Sequence, residues 1–399
     1  MPATRHDAPI EIHATARHRL GMPPARFLRE YWQKRPLLIR NAFADFTPPL
    51  SPDDLAGLAC MQGALARIAL HDVKRDRWTL RSGPFDDATF ARLPKSHWTL
   101  LVQDVDKWDA DTAALLEPFD FIPSWRIDDV MISYAVDGGG VGAHVDQYDV
   151  FLLQGSGRRR WSIDMRANPS TAFRDDVELK LLREFHPTHA WTLDPGDMLY
   201  LPPGVPHDGI AVGECMTFSI GMRAPAAGEL LFDLAAHVAE TLPESQRLVD
   251  PDLRPVGDAG EIDNAALRRA RHAVGPAAAM LDDDVFADWF GGFITRYRAA
   301  QAAVPRKRAI QHAALASGLS SSTLERDPWS RFAWRRRGRD ACLYVAGSTM
   351  AAPLAWAREL ASGAREFDGA RLARLPQRAR GIALLAALIN AGHLHLRKR

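Results

Sequence analysis

Cysteine is scarce in this chain: Cys60, Cys215 and Cys342 are the only three in 399 residues, and they stand far apart. That spacing excludes a disulfide framework or a Cys-rich zinc site, and the three are expected as reduced structural thiols. No run approaches the ~18 consecutive apolar residues that a membrane helix needs. The opening residues, Met1-Pro2-Ala3-Thr4-Arg5-His6-Asp7, also lack the apolar stretch of a secretory signal. No membrane partner and a cytoplasmic location are therefore expected. Internal repeats are absent, and without a Gly-x-Ser-x-Gly elbow serine-based nucleophilic catalysis has no support. With 47% hydrophobic and 25% charged residues the chain is neither disordered nor fibrous, and its length suits two or three packed domains.

The net charge of +1 conceals a division. Residues 306–399 hold 18 Lys and Arg against 6 Asp and Glu, a balance of +12, which leaves residues 1–305 at −11. An acidic body can concentrate a basic substrate, and a basic module can hold a polyanion or dock on the acidic body. Both surfaces can equally serve solubility alone.

From Asp128 to Ala224 the sequence reads as short β-rich runs separated by Gly, Pro and Asp: Val130–Val136, Ala143–Gln154, Arg159–Asp164, Ala190–Leu193, Met198–Leu201 and Met216–Met222. Closely spaced strands without intervening helices argue for an antiparallel barrel or jelly roll. Before it, Pro24–Gln33 and Asp53–Ala69 look helical, and Arg77–Leu80 and Thr99–Gln103 look like strands. After it the rhythm turns helical at Gly228–Glu240, Asn264–Val274 and Asp283–Ala300, with Phe286, Trp289, Phe290 and Phe293 on one stripe. That stripe either packs on the barrel or forms a dimer interface. The last part mixes helices (Ala309–Ala316, Ala351–Ala361, Gly381–Ala391) with strand-like Ala341–Val345 and His393–Leu396, as in a small winged-helix module. The expected division is therefore a catalytic domain at 1–224, a helical domain at 225–305 and a basic winged-helix-like domain at 306–399.

Gly138-Gly139-Gly140-Val141-Gly142-Ala143 matches G-x-G-x-x-A but opens a strand-like run, where a dinucleotide fingerprint must open a helix. It reads instead as a flexible rim. His144-Val145-Asp146 follows, and on a strand residues two apart share a face, so an imidazole and a carboxylate can meet one metal ion. Alone this is weak evidence. Further on, the turn Asp194-Pro195-Gly196-Asp197, a short apolar strand and a proline-rich bend deliver His207. Two histidines and one carboxylate on separate strands make the facial triad, which leaves coordination positions open and suits non-haem Fe(II). Zinc on the same ligands and satisfied core histidines are the alternatives. Such an iron needs a co-substrate to supply electrons for splitting O2, and a dicarboxylate such as 2-oxoglutarate needs a cation beside the metal. In Arg158-Arg159-Arg160, alternation puts Arg159 on the interior face with Trp161 and Ile163, able to grip a carboxylate bidentately or to act as an interior ion-pair residue. Arg158 and Arg160 then face solvent.

Gly138 to Phe151, Gln154 to Trp161 and Pro195 to His207 together resemble the JmjC-type cupin oxygenases, and within them the bacterial ribosomal oxygenases that hydroxylate an arginine of a large-subunit ribosomal protein. The resemblance implies a mainly β plus α fold: a double-stranded β-helix of the jelly roll or cupin type, a helical segment and a C-terminal winged helix. It implies Fe(II) on His144, Asp146 and His207, with 2-oxoglutarate reaching Arg159. The family commonly carries a hydroxyl where this chain has Ala135; Ser133 on the same strand face, or Tyr134 with a shift of register, stands in for it. Asp137 and Asp149 flank the metal segment and Tyr148 can stack on a guanidinium, which makes the three candidate substrate contacts, against a bland reading as rim charge and a packed tyrosine. A homodimer is expected. Trp329, Trp334 and Arg335-Arg336-Arg337-Gly338-Arg339 form either a ribosomal RNA contact or a solvated or interdomain face. His393-Leu394-His395 reads as a wing strand. Three rivals remain open: a related hydroxylase or demethylase acting on another residue, a non-enzymatic cupin sensor with a DNA-binding winged helix, and a zinc-dependent isomerase or hydrolase.

Overall fold

The computed structural model describes residues 10–245, 247–251, 264–279 and 282–398; Met1–Asp7, read above for a leader, lies outside them. The chain divides into two units, Met1–Ala224 and Pro225–Arg399. None of the helices described is long and apolar enough to cross a membrane.

Ten strands build the first unit: β1 (Glu11–His13), β2 (Leu37–Arg40), β3 (Ala66–Asp72), β4 (Arg77–Ser82), β5 (Trp98–Val102), β6 (Ile127–Ala135), β7 (Val150–Ile163), β8 (His189–Leu193), β9 (Met198–Leu201) and β10 (His207–Met222). They pair in the order β1-β2-β9-β7-β10-β6-β5-β3-β4, with β8 on the free edge of β7. Strand alternation gives this double-stranded β-helix two hydrophobic faces. Val130, Ile132, Phe151, Leu153, Tyr200, Phe218 and Ile220 point outward into a core shared with Phe27 and Tyr31 of α1 (Pro24–Glu30). Leu152, Trp161, Ile163, Leu193 and Leu199 point inward and line the lumen. Each fully buried aromatic contributes about 2–3 kcal/mol by leaving water.

Two sequence expectations change here. Asp53–Ala69 is not one helix: α2 (Pro52–Cys60) is capped by Ser51 and Asp54 and stops at Cys60, and Ala66–Asp72 is strand β3. Buried Ala66 and Ile68 alternate with outward Arg67, and pairing with β4 and β5 overrides helix propensity. The runs ending at Gln154 and starting at Arg159 are one strand, bent through Gly155-Ser156-Gly157 where β10 shifts register between Val212 and Met216. Gly157 has φ +59, and a Cβ there would sit 1.9 Å from the Glu214 carbonyl oxygen, so only glycine fits the bend.

In the second unit, α3 (Ala227–Thr241), α4 (Asn264–Ala279) and α5 (Asp283–Arg296) precede a mixed module. That module contains α6 (His312–Gly318), β11 (Ser322–Arg326), β12 (Phe332–Arg337), β13 (Asp340–Val345), β14 (Ser348–Pro353), α7 (Leu354–Leu360), β15 (Glu366–Asp368), α8 (Gly369–Ala373), α9 (Arg378–Asn390) and β16 (Leu394–Lys398). The sheets run β12-β13-β14 and β15-β11-β16. Segments 225–305 and 306–399, read apart in the sequence, share this unit because α5 packs on β12–β14: Tyr344 of β13 hydrogen-bonds Asp288 of α5 at 2.8 Å. On the aromatic stripe, Trp289 and Phe293 are buried and stack at 5.7 Å, while Phe286 is exposed and lines an apolar cleft with Leu230, Leu231 and Leu234 of α3.

Candidate metal centre

His144 and Asp146 do not lie on a strand. The glycine-rich rim carries the chain past β10, and His144 meets His207 in an isolated bridge of two reciprocal backbone hydrogen bonds of 3.0 Å each. The carbonyl of Asp146 accepts from the Gly204 N–H at 2.8 Å, fixing the next residue pair against the bend before β10. The shared-face argument therefore fails in detail, yet backbone pairing to the second histidine brings the same three side chains together. Among the described residues, His144, Asp146 and His207 are the one group of three such donors able to hold a metal ion, with their ligand atoms within 4.8 Å of one another.

The histidines are presented for metal. Nδ1 of His144 hydrogen-bonds the Gly142 carbonyl at 2.8 Å, and Nδ1 of His207 the Val205 carbonyl at 2.9 Å. Each ring thus donates through Nδ1 and turns Nε2 inward as the free ligand. Nε2 of His207 lies 3.7 Å from Asp146 Oδ2, and the two imidazole centroids are 4.2 Å apart. Burial, then the neighbouring His144, push His207 down to about 4, which keeps it neutral and ligand-competent at neutral pH.

Arg159 lies inside, 4% exposed, as alternation predicts, with Arg158 and Arg160 in solvent. Its guanidinium carbon sits 5.7 Å over the Trp161 ring. Its Nε and Nη2 are buried with no hydrogen-bond partner. A buried cation with two unmatched donors is expensive and asks for a carboxylate, so the donor set fits a dicarboxylate co-substrate. The neighbouring wall is small and apolar: Ala135, Ala211 and Cys215 form one cluster, and Ala211 faces Arg159 across the ladder. Ser133 is buried on the lumen side opposite Thr217. Tyr134 is excluded as a stand-in for the missing hydroxyl, because the register puts it on the outer face against Trp98, ring centroids 5.7 Å apart.

The substrate candidates separate. Asp137 is exposed at the rim, where Oδ1 accepts from the Gly213 N–H at 2.8 Å. Tyr148 is 36% exposed beside the metal segment, and burial and then Asp146 raise its hydroxyl pKa. Asp149 is a correction: it is fully buried, accepting from the Tyr200 hydroxyl at 2.6 Å and Gln33 Nε2 at 2.9 Å, with Arg126 at 3.5 Å. It ties the turn after α1 to β9 and has no route to a substrate. Sequence reasoning missed two lumen features. Gln154 Oε1 accepts from the Thr217 hydroxyl at 3.2 Å, and the isolated amide in Val150-Phe151-Leu152-Leu153-Gln154 was the available signal. Asp129, on the same β6 face as Ser133, accepts from the Asp104 N–H, and burial raises it to about 7.

Comparison with known proteins adds the family. The JmjC domain matches residues 114–230, the ROXA-like winged helix 278–395, and the AraC-like ligand binding domain 187–304. The chain is 38% identical over 279 residues to the ribosomal protein uL16 3-hydroxylase of Escherichia coli, covering 68% of this chain and 71% of that protein. An X-ray structure of E. coli YcfD superposes with a TM-score of 0.80 at 33% identity, covering 94% of this chain and 98% of that one. A structure of YcfD, a ribosomal oxygenase, in complex with cobalt and 2-oxoglutarate gives 0.78 at 33% identity over the same shares. Similarity of this extent, carried through both units, is that of a relative, and the chain belongs to the JmjC-type ribosomal oxygenases, metal enzymes dependent on 2-oxoglutarate.

Proposed function

We propose that this protein hydroxylates an arginine side chain of a large-subunit ribosomal protein, with Fe(II) on His144, Asp146 and His207 and 2-oxoglutarate on Arg159. The observation that carries the reading is the buried, partnerless edge of Arg159 in the barrel that presents the three ligands. Bound iron would supply redox activation of O2, whose four-electron reduction draws two electrons from 2-oxoglutarate and two from the substrate C–H bond: one oxygen atom enters that bond and the other leaves in succinate, with loss of CO2. Around that chemistry the residues have separate tasks. His144 and His207 hold Nε2 inward through their Nδ1 hydrogen bonds, leaving one side of the facial triad for co-substrate. Arg159 takes the far carboxylate with Nε and Nη2, and buried Ser133 supplies a hydroxyl on the same wall. Exposed Asp137 pairs with the substrate guanidinium at the rim and half-exposed Tyr148 stacks on it. The acidic balance of residues 1–305 steers basic ribosomal segments toward the site. A second copy of the chain covers the apolar face of Leu231, Phe232 and Phe286, and the protein acts in the cytoplasm, where ribosomes assemble.

The test is to supply Fe(II), 2-oxoglutarate and O2 to the purified protein with ribosomal proteins, and to follow succinate and peptide mass. One added oxygen atom on an arginine, absent in His144→Ala and Asp146→Ala, is expected. An oxygen placed on another residue type overturns the arginine assignment, and loss of a methyl group points to a demethylase.

A further inference from the structure

The second unit holds a basic surface that the oxygenase chemistry does not use. Arg335, Arg336 and Arg337 on β12 are divided by strand alternation. Arg335 bonds Asp284 at 2.5 Å, and Arg337 bonds Asp284 at 3.2 Å and approaches Asp288 at 3.6 Å, so these two fasten the sheet to α5. Arg336 points the other way, is exposed, and has no carboxylate partner among the described residues. Arg339, in the turn behind Gly338, is likewise exposed and unpaired there. Arg380 bonds Asp340 at 3.1 and 3.0 Å, which sets the start of α9 beside this turn and brings exposed Arg378 with it. On the Arg336 face of β12, Trp334 stays partly exposed under Arg358, whose guanidinium carbon is 5.4 Å from the ring centroid. The wing edge therefore combines arginines that no acid neutralises with one partly exposed indole that also packs on the module's core.

We propose that this edge binds an RNA strand through its phosphates. RNA is the polyanion chosen because a ribosomal substrate is proposed above; the surface itself stands without that reading. Duplex reading through a major groove is disfavoured by α9, which occupies the helix-turn-helix position after α8. Beyond the first turn its outward side chains are Ala383, Ala387 and Asn390; the alanines have no donor or acceptor for base edges, and the Asn390 amide is taken up by the Ile310 backbone at 2.7 and 3.4 Å. Arginines gripping phosphates around an aromatic ring suit an unstacked strand instead.

The experiment uses the full-length iron-loaded protein with a fluorescein-labelled single-stranded RNA and a DNA duplex, read by anisotropy across a salt series. Arg336→Glu/Arg339→Glu is compared with Arg158→Glu/Arg160→Glu, an equal charge change on exposed barrel residues. RNA affinity should fall about tenfold or more in the wing variant, with a salt slope lower by ~1.4 for two lost phosphate contacts. The barrel variant should stay within about threefold, and ribosomal-peptide hydroxylation should be unchanged in the wing variant. Equal losses in both variants, tighter binding of the duplex, no RNA binding at low salt, or equal competition by an acidic polypeptide would each overturn the proposal. Failure of the ribosomal-substrate reading shows separately, as wild-type protein that binds RNA but hydroxylates no ribosomal peptide.

Discussion

The sequence Arg-Arg-Arg occurs on a strand in each unit, and its residues meet opposite fates. In β7 the middle arginine is the special one: Arg159 is buried with unmatched donors while Arg158 and Arg160 stand in water. In β12 the outer two are engaged, Arg335 and Arg337 with acids of α5, and Arg336 is left exposed. Period-two alternation explains the division within each triplet. What packs against each face decides its meaning. In the lumen of Leu152, Trp161 and Leu193 the β7 arginine finds no acid to hydrogen-bond its Nε and Nη2, Asp208 acting on it through charge alone, whereas an acidic helix start, Asp283 and Asp284, bonds the β12 pair directly. An unsatisfied buried charge marks a ligand site, and a satisfied half-exposed one marks structure.

The largest expected effect breaks the comparison at Arg159. Arg159→Met should weaken 2-oxoglutarate binding by about 100-fold or more, roughly 2.7 kcal/mol for a bidentate charged pair. Titration calorimetry with a redox-inert divalent metal in the site measures it. Because Nε and Nη2 of the guanidinium are buried without hydrogen-bond partners, the co-substrate-free variant should melt no lower than wild type. Arg158→Met and Arg160→Met should leave affinity within about twofold. A lower melting temperature with unchanged 2-oxoglutarate binding would make Arg159 a structural residue.

Next in size is Asp149, which separates a buried satisfied charge from a rim charge. Asp149→Ala strands the Tyr200 hydroxyl, the Gln33 amide and Arg126, and should lower stability by about 2 kcal/mol in urea denaturation. Asp137→Ala, losing one exposed bond to Gly213, should cost under about 1 kcal/mol while raising the KM for arginine peptide. Reversal of these two results would return Asp149 to the substrate surface.

These two aspartates also show what was legible in the sequence. Asp137 and Asp149 look alike as acids flanking the metal segment, and nothing local distinguishes them. The difference lies in Gln33, Arg126 and Tyr200, which reach Asp149 from other elements of the fold. Arg159 was legible because alternation needs only its neighbours Trp161 and Ile163. The triad is legible for a partly wrong reason: the sequence pattern suggests a strand through His144 and Asp146, when the pairing of His144 with His207 is what brings them together. Tyr134 was open as a stand-in for a hydroxyl at Ala135 until strand register gave it the outer face. The length of α2 was hidden because Ala66 to Ala69 suit a helix in isolation and become a strand only beside β4 and β5.

Asp129 gives a smaller effect, with a definite sign. Its folded value near 7, raised mainly by burial and opposed by Lys107, exceeds the ~3.9 of an unfolded aspartate. The folded protein therefore holds a proton that the unfolded chain releases, and this contribution is full below about pH 4 and lost as pH rises toward 7. Asp129→Asn should gain on wild type in thermal unfolding as pH is raised from 5 to 8. An unchanged difference between the two melting curves over that range would show that Asp129 titrates normally.

The smallest expected effect returns to β12. Arg335 and Arg337 are 38% and 51% exposed at the side chain, and Asp284 is 48% exposed, so solvent screens the clamp heavily. Arg335→Ala/Arg337→Ala should therefore cost only about 0.5–1 kcal/mol, a difference that shrinks in high salt as the ionic part is screened. Arg336→Ala on the same strand should cost nothing measurable, since it has no acid to lose. Calorimetry of the three proteins at low and high salt decides the matter. If Arg336→Ala destabilises as much as the pair, the exposed arginine has a structural partner, and the division of the triplet by alternation does not divide its function.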